Sequence, residues 1–267
     1  MRHLLQIYRT QLQTYVAVQL QYRVSLVIWL IGTVLEPVMY LVVWSTVARS
    51  GGGSTGGYTV ADFAAYYIVL MIVDHLTFTW HMWEYDYRIR QGLLSPMLLR
   101  PMHPIHADVA ENVAYKFLSL AVIVPTAVIL ALLFRPALHP PLWAAVAFVP
   151  AVLLSFAIRF LSGWALAMAA FWTSRIMAIN QTFYVTELFF SGRLAPLSLL
   201  PPVLQTVAAF LPFRWALAFP VELLLGRLSP QQALGGFAAQ LAWVVISLLL
   251  VNLIWRAGVR HYGAFGA

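Results

Sequence analysis

From residue 24 onward the chain is a series of long apolar runs separated by short polar breaks. Six of these runs approach or exceed the roughly 20 residues that a helix needs to cross the hydrocarbon core of a bilayer. They cover residues 24–48, 62–83, 109–134, 142–172, 176–192 and 237–255. The fourth has 31 residues, about 46 Å as a helix at 1.5 Å per residue. That is too long for an upright span and too short for two, so it predicts one tilted or broken helix. Between the fifth and sixth runs the apolar stretch 194–219 is interrupted by Pro196, Pro201, Pro202 and Pro212 and followed by Pro220. Proline has no amide hydrogen and clashes with the preceding helical turn, so this stretch predicts short re-entrant or external helices. Ahead of the first span, Leu5, Tyr8, Leu12, Tyr15, Val16 and Leu20 recur at helical intervals among Gln6, Arg9, Gln13 and Gln21. Residues 1–23 therefore predict an amphipathic helix on the membrane surface. The pattern predicts an all-α integral membrane protein with six transmembrane helices. Its single membrane domain is residues 24–267, with a polar segment at 84–108 and the re-entrant or external segment at 193–220.

Composition sharpens this reading. Hydrophobic residues make up 62% of the chain and charged ones 9%, whereas soluble domains carry roughly 25% charge. With no cysteine at all, disulfides, thiolate metal sites and cysteine nucleophiles are excluded. The net charge of +7 does not point to nucleic acid, because the basic residues sit at span ends instead of gathering on one face. The first 23 residues lack the unbroken apolar core of a cleaved leader and are expected to stay on the protein. With both termini in the cytoplasm, Arg2, Arg9, Arg23, Arg88, Arg90, Arg100, Lys116, Arg175, Arg256 and Arg260 lie inside. Arg49, Arg135, Arg193, Arg214 and Arg227 then lie outside. The positive-inside rule favours this orientation, in an inner or plasma membrane.

Sequence motifs for catalysis are scarce. No Gly-x-x-x-x-Gly-Lys-Ser/Thr loop occurs, and the only lysine, Lys116, stands in Ala-Tyr-Lys-Phe without a glycine loop, so the chain has no phosphate-binding loop for ATP. No His-Glu-x-x-His occurs either. His103 and His106 have a ligand-like spacing but sit among prolines. Ser162-Gly163 reads as a small pair for close helix packing more readily than as an intramembrane nucleophile. No catalytic residue and no metal ligand is assigned. The costly groups are the ionisable residues far from span ends: Glu36, Asp74, Arg159 and Glu187 all fall near mid-depth. One cation among three acids predicts at least one pair, Arg159 with Glu36 or Glu187. Lining of a polar cavity is the other role open to them.

The segment Arg-Ile-Arg-Gln-Gly-Leu-Leu-Ser-Pro-Met-Leu-Leu-Arg-Pro-Met-His-Pro, residues 88–104, places Leu93, Leu94, Met97, Leu98 and Leu99 in a loop expected to be wet. Exposed apolar residues between turn residues mark a contact surface, and rest on lipid is the alternative. In order along the chain stand an amphipathic N-terminal helix, Ile-Arg-Gln-Gly-Leu-Leu-Ser-Pro-Met-Leu-Leu-Arg-Pro after the second span, and Ala-Phe-Trp-Thr-Ser-Arg closing the fourth. Leu-Phe-Phe-Ser-Gly-Arg-Leu-Ala-Pro-Leu-Ser-Leu-Leu-Pro and Leu-Pro-Phe-Arg-Trp-Ala-Leu-Ala-Phe-Pro follow before the sixth. In these features the chain resembles the permease subunits of ABC-2 type exporters.

The resemblance implies that the loop after the second span is a coupling helix docking on a separate ATPase. That role would fall to Arg88, Arg90, Gly92, Leu93, Leu94, Leu98 and Arg100. It further implies external helices capping the pathway before the sixth span, and a second permease subunit, identical or related. It implies a pair of ATPase subunits carrying the ATP and Mg, so that this chain needs no cofactor and is not itself an enzyme. Membrane lipid is the remaining partner, and nucleic acid is not one. The family often carries an acidic residue just before the coupling-helix glycine. Here Arg90-Gln91 stands there, with Glu84 and Asp86 upstream. An intramembrane enzyme and a non-transporting scaffold are the competing readings.

Overall fold

The computed structural model describes residues 2–173 and 175–262, and the side chains of residues 2–5, 23 and 26 lie outside the described set. The sequence assignments made for Leu5, Arg2 and Arg23 therefore lie outside the described residues. In chain order the elements are α1 (Arg2–Gln21), α2 (Arg23–Ser50), a two-residue hairpin of β1 (Ser54–Thr55) and β2 (Tyr58–Thr59), α3 (Val60–Thr77), α4 (His81–Arg90) and α5 (Leu94–Leu98). Then come α6 (Ile105–Phe134), α7 (Leu142–Ala167), α8 (Ile176–Phe190), α9 (Pro202–Phe210), α10 (Phe219–Leu224) and α11 (Pro230–Tyr262). Short 3-10 turns at Met168–Phe171 and Leu197–Leu199 and a π turn at Arg214–Ala218 link them.

The fold is an all-α membrane fold. Five helical segments are long and apolar enough to cross a bilayer: Val27–Ser50, Val60–Arg90, Ile105–Phe134, Leu142–Phe171 and Pro230–Tyr262. The fourth is not broken, as α7 passes through Pro150 and tightens into the 3-10 turn at its end. The second does break: α3 stops at Thr77 and α4 starts at His81.

Contacts place the remaining elements. The hairpin defines one end of the molecule. The Ala137 amide donates to the Ala61 carbonyl (3.1 Å), and Ser198 Oγ donates to the Tyr58 hydroxyl (3.3 Å). Arg227 pairs with Asp62 (3.2 Å). The loops at 51–59, 135–141, 196–201 and 225–229 thus gather at this hairpin end. With 15 residues, α8 is only about 22 Å long. It nevertheless runs along α3 and α4 from the level of Met82, whose carbonyl accepts from Asn180 (2.9 Å), to the level of Tyr66, whose hydroxyl donates to the Gly192 carbonyl (2.7 Å). The irregular stretch 191–196 completes the distance to the hairpin end, buried except for a partly covered Leu194. Non-helical backbone at membrane depth is tolerated when it is enclosed by protein in this way.

The pair formed by Pro202–Phe210 and Arg214–Leu224 is bent by 87°. It begins beside Ser198 and ends beside Arg227, while Phe213 at its bend meets Phe183 of α8 edge to face (centroids 5.1 Å apart). Both of its ends thus lie at the hairpin end of the molecule. At the opposite end, α1 packs on α6. Its half-buried face carries Tyr8, Leu12, Tyr15 and Val16, but Leu20 is 53% exposed. Tyr8 is tied to His106 Nδ1 (2.6 Å). The N-terminal helix is thus a packed neighbour of α6 and does not simply float on lipid.

Candidate functional site

Two constellations follow from this frame, one at mid-membrane and one at the end opposite the hairpin. In the first, Arg159 on α7 reaches Asp74 of α3 (2.7 Å) and Glu187 of α8 (2.9 Å), and donates to Thr77 Oγ1 (2.8 Å). Arg193, in the irregular stretch after α8, makes a very close ion pair with Asp74 and a looser one with Glu36 of α2 (3.7 Å). The five charges form one chain, Glu36–Arg193–Asp74–Arg159–Glu187, that ties α2, α3, α7 and α8 together. The side chains of Asp74, Arg159, Glu187 and Arg193 are all at most 14% exposed, while that of Glu36 is 31% exposed. Ion pairs withdrawn from water hold only when geometry and further hydrogen bonds offset the loss of hydration. Arg159 meets that condition with its Thr77 contact.

Of the two partners open to Arg159, the structure selects one. The Arg159–Glu187 pair forms, but the Glu36 alternative does not, because Glu36 is taken by Arg193. Arg193, expected in an external segment, is 5% exposed and its guanidinium turns into the protein. The count is two cations against three acids, where the sequence reading had one. Gly192 has φ 87°, a conformation open to glycine at no steric cost. A Cβ there would lie 2.6 Å from the Tyr66 hydroxyl, so the turn that aims Arg193 inward needs glycine on both grounds.

The break between α3 and α4 lies against this network. The Phe78 carbonyl, left without a helical partner by the break, accepts from Lys116 Nζ (2.6 Å). Lys116 is 8% exposed and its ammonium lies 5.0 Å from the Phe156 ring. It is therefore an interior residue of α6 and not a cytoplasmic one. A crevice with room for about one water (about 20 Å³) opens beside the break, lined by Phe78, Thr79, Arg159, Gly163, Glu187 and Phe213 among others. Ser162 Oγ meets Ser247 Oγ (3.2 Å), and a Cβ on Gly163 would stand 3.3 Å from Thr79 Oγ1. The pair serves close helix packing.

The second constellation is the loop at the other end. Asp108, 1% exposed, accepts from Tyr85 (2.7 Å), Trp164 Nε1 (2.9 Å) and Arg88 (2.6 Å). Arg88 also pairs with Glu84 (2.6 Å) and, more weakly, Glu111 (3.5 Å). Arg88 therefore anchors α4 to α6 and α7 and is not presented outward. After α4, Gly92 turns the chain at φ 69° and α5 follows. Leu94 is completely buried, in one cluster with Tyr85, Trp164, Met168 and Phe171. Met97 and Leu98 pack partly on the same cluster, and Ser95 Oγ lies 2.8 Å from the Tyr262 hydroxyl.

Leu94 and Leu98 are thus not the exposed contacts expected from the sequence. What faces outward is Gln91, Gly92, Leu93 (45%), Ser95, Pro96, Leu99 (87%) and Arg100. Arg90, bonded to Asp86 (2.7 Å), is 48% exposed at its side chain. Burial, with His106 beside it, holds the His103 imidazole below its ordinary range, so it stays neutral against Trp164 (5.4 Å) and Trp255 (4.5 Å). Its Nδ1 accepts from the Ile105 amide (3.2 Å), while His106 holds Tyr8, so the two rings are engaged in separate contacts.

The alternation of hydropathy could not reveal Arg193, Lys116 or Asp108 as partners: Lys116 and Asp108 sit in no motif, and the motif around Arg193 does not say what the arginine meets. The only available sign was the scarcity of charge itself, because every ionisable group near an apolar run must find a counterpart.

A comparison with curated proteins gives no match. The profile of the family described as "ABC-2 family transporter protein" matches residues 34–266, from within α2 through the last helix. Together with the spanning helices, this makes the chain a member of the ABC-2 transporter family, a multi-pass membrane permease of the ABC transporter type and a transport component that is not itself catalytic.

Proposed function

We propose that the chain forms the transmembrane half of an ABC exporter, driven by a separate pair of ATPase subunits that bind the ATP and Mg. It would assemble with a second permease subunit, identical or related, to enclose the pathway in an inner or plasma membrane with both termini in the cytoplasm. The observation that carries this reading is the division of labour in the loop after α4. Leu94, Arg88 and Asp108 fix it to the helix bundle, while Leu93, Leu99 and Arg100 are exposed among the described residues. A short helix braced in this way transmits force from whatever grips its outer face to α4, α6 and α7. Exposed leucine beside a cation suits a partner groove with an apolar floor and an acidic rim.

The mid-membrane chain of charges supports the same reading from the other side. It joins four helices that a pathway would have to move relative to one another, and ion pairs can exchange partners where a packed apolar core cannot.

The test is co-purification with the ATPase subunit and solute efflux for Leu99→Asp and Gly92→Pro. Leu99 is 87% exposed, so its replacement should leave the fold intact while ATPase recovery falls at least about tenfold. Proline cannot adopt the φ of 69° at residue 92, so α5 should be misdirected and efflux lost. Unchanged ATPase recovery and efflux in both variants would move the docking surface elsewhere and overturn the proposal.

A further inference from the structure

At the hairpin end, away from both constellations, a pocket of about 340 Å³ opens between the bent helix pair and the hairpin, lined by Tyr58, Ser198, Gln205, Arg214, Glu222 and Arg227. Its charges are arranged unusually. Among the described residues the Arg214 guanidinium has no ion pair or hydrogen bond and only lies over the Trp215 ring, 5.2 Å from its centre. The Glu222 carboxylate likewise has no ion pair or hydrogen bond among the described residues, although the residue is largely buried. Arg227 is held in place by Asp62 (3.2 Å) and the face of Tyr58 (3.6 Å). Gln205 spends its amide hydrogens on the Leu200 and Ser198 carbonyls (2.7 and 3.3 Å).

Two opposite charges that share a pocket normally pair with each other, because pairing offsets part of the cost of leaving water. Arg214 and Glu222 lie within reach of each other's field but form no direct ion pair, so each can receive a charge of the opposite sign from outside. A ligand satisfying both must carry an anion and a cation close together. Guanidinium matches phosphate in two-pronged geometry, and a carboxylate takes an ammonium as a point charge. The helix that supplies Gln205 to the pocket also turns Val203 (72% exposed), Val207 (41%) and Phe210 (75%) outward. These positions, four and three residues apart, lie on one face of α9, which offers an acyl chain an apolar track leading away from the pocket.

We propose that this pocket binds the head-group of an aminophospholipid from the leaflet at the hairpin end. The phosphate lies on Arg214 with Arg227 beside it, the ammonium lies on Glu222, and an acyl chain lies along α9.

The test uses the full-length permease in detergent, titrated by native mass spectrometry with three probes. These are dioleoylphosphatidylethanolamine, dioleoylphosphatidylglycerol, which keeps the phosphate but lacks the ammonium, and glycerophosphoethanolamine, which lacks the chains. The protein should prefer phosphatidylethanolamine at least about tenfold over phosphatidylglycerol and ignore the chainless head-group. Arg214→Ala should weaken both lipids at least about tenfold, and Arg214→Lys should weaken them less. Glu222→Gln should bring phosphatidylethanolamine down to the level of phosphatidylglycerol without altering the latter. Among the described residues neither side chain has an ion pair or hydrogen bond, and Arg214 has only the face of Trp215 (5.2 Å), so both variants should melt within a few degrees of the wild type. Equal binding of the two lipids by the wild type, or indifference to both substitutions, would overturn the site. Equally tight binding of the chainless head-group would overturn the assignment to lipid in favour of a soluble zwitterion.

Discussion

Replacing Arg159 by leucine tests the mid-membrane network most directly. The side chain is 8% exposed and makes ion pairs at 2.7 Å with Asp74 and 2.9 Å with Glu187, plus a hydrogen bond to Thr77. Its loss leaves the two acids in different positions. Asp74 keeps Arg193, but Glu187 loses the only ion-pair partner it has among the described residues. Removing one member of a buried pair costs about 3–5 kcal/mol, which for a chain of this size corresponds to a fall of about 6–15 °C in Tm. Glu187→Gln alone should cost much less, about 1 kcal/mol, because Arg159 still holds Asp74 and the network becomes charge-balanced. Combining the two should recover about 1–3 kcal/mol relative to additivity. Arg159→Leu with Glu36→Gln, read against Glu36→Gln alone, should recover less than the Glu187 combination, since Glu36 meets Arg159 only through Arg193 and Asp74. Thermal unfolding of these variants in detergent provides the measurement. A loss under about 1 kcal/mol for Arg159→Leu, or rescue by Glu36→Gln in place of Glu187→Gln, would refute the network as drawn.

Two further outcomes follow from burial and topology. Leu94→Ala should destabilise the protein by about 2–5 kcal/mol through the cavity it leaves, because Leu94 is completely buried. A stable Leu94→Ala protein, measured by the same unfolding assay, would mean that α5 is not anchored there. Single cysteines can be introduced freely, since the chain has none. One in place of Ser54, exposed in the hairpin and free of the positive φ of the neighbouring glycines, should react with an impermeant maleimide on intact cells. Reaction only after permeabilisation would reverse the orientation.

The apolar runs alone determined the class of fold and where the spans lie, because in lipid every backbone amide must be bonded within its own segment and only helices of sufficient length do so. The prolines at 196, 201, 202 and 212 likewise determined that no straight helix would run there, since a helix cannot continue through them unbent. The order of amphipathic helix, loop and proline-rich segment was enough to suggest the family. The scarcity of charge also identified Glu36, Asp74, Arg159 and Glu187 as residues that must be accommodated.

Which groups accommodate them was decided by the tertiary structure. Arg193 reads as external because it follows the last apolar residues of a span, yet the buried turn at Gly192 aims it back to Asp74. Lys116 reads as a flank residue, yet the α3–α4 break, which no proline or glycine announces, leaves a carbonyl that only a long cation from α6 reaches. Leu94 and Leu99 are both leucines of one short loop, and their hydropathy is identical. One is completely buried and the other 87% exposed, because the left-handed turn at Gly92 and the packing of α4 on α7 fix the rotation of α5. Hydropathy measures the preference of a residue for lipid or protein over water. It carries no information on the rotation of a helix about its axis or on which distant segment meets it, and those two quantities decide the charge pairs between helices and the exposed face of α5.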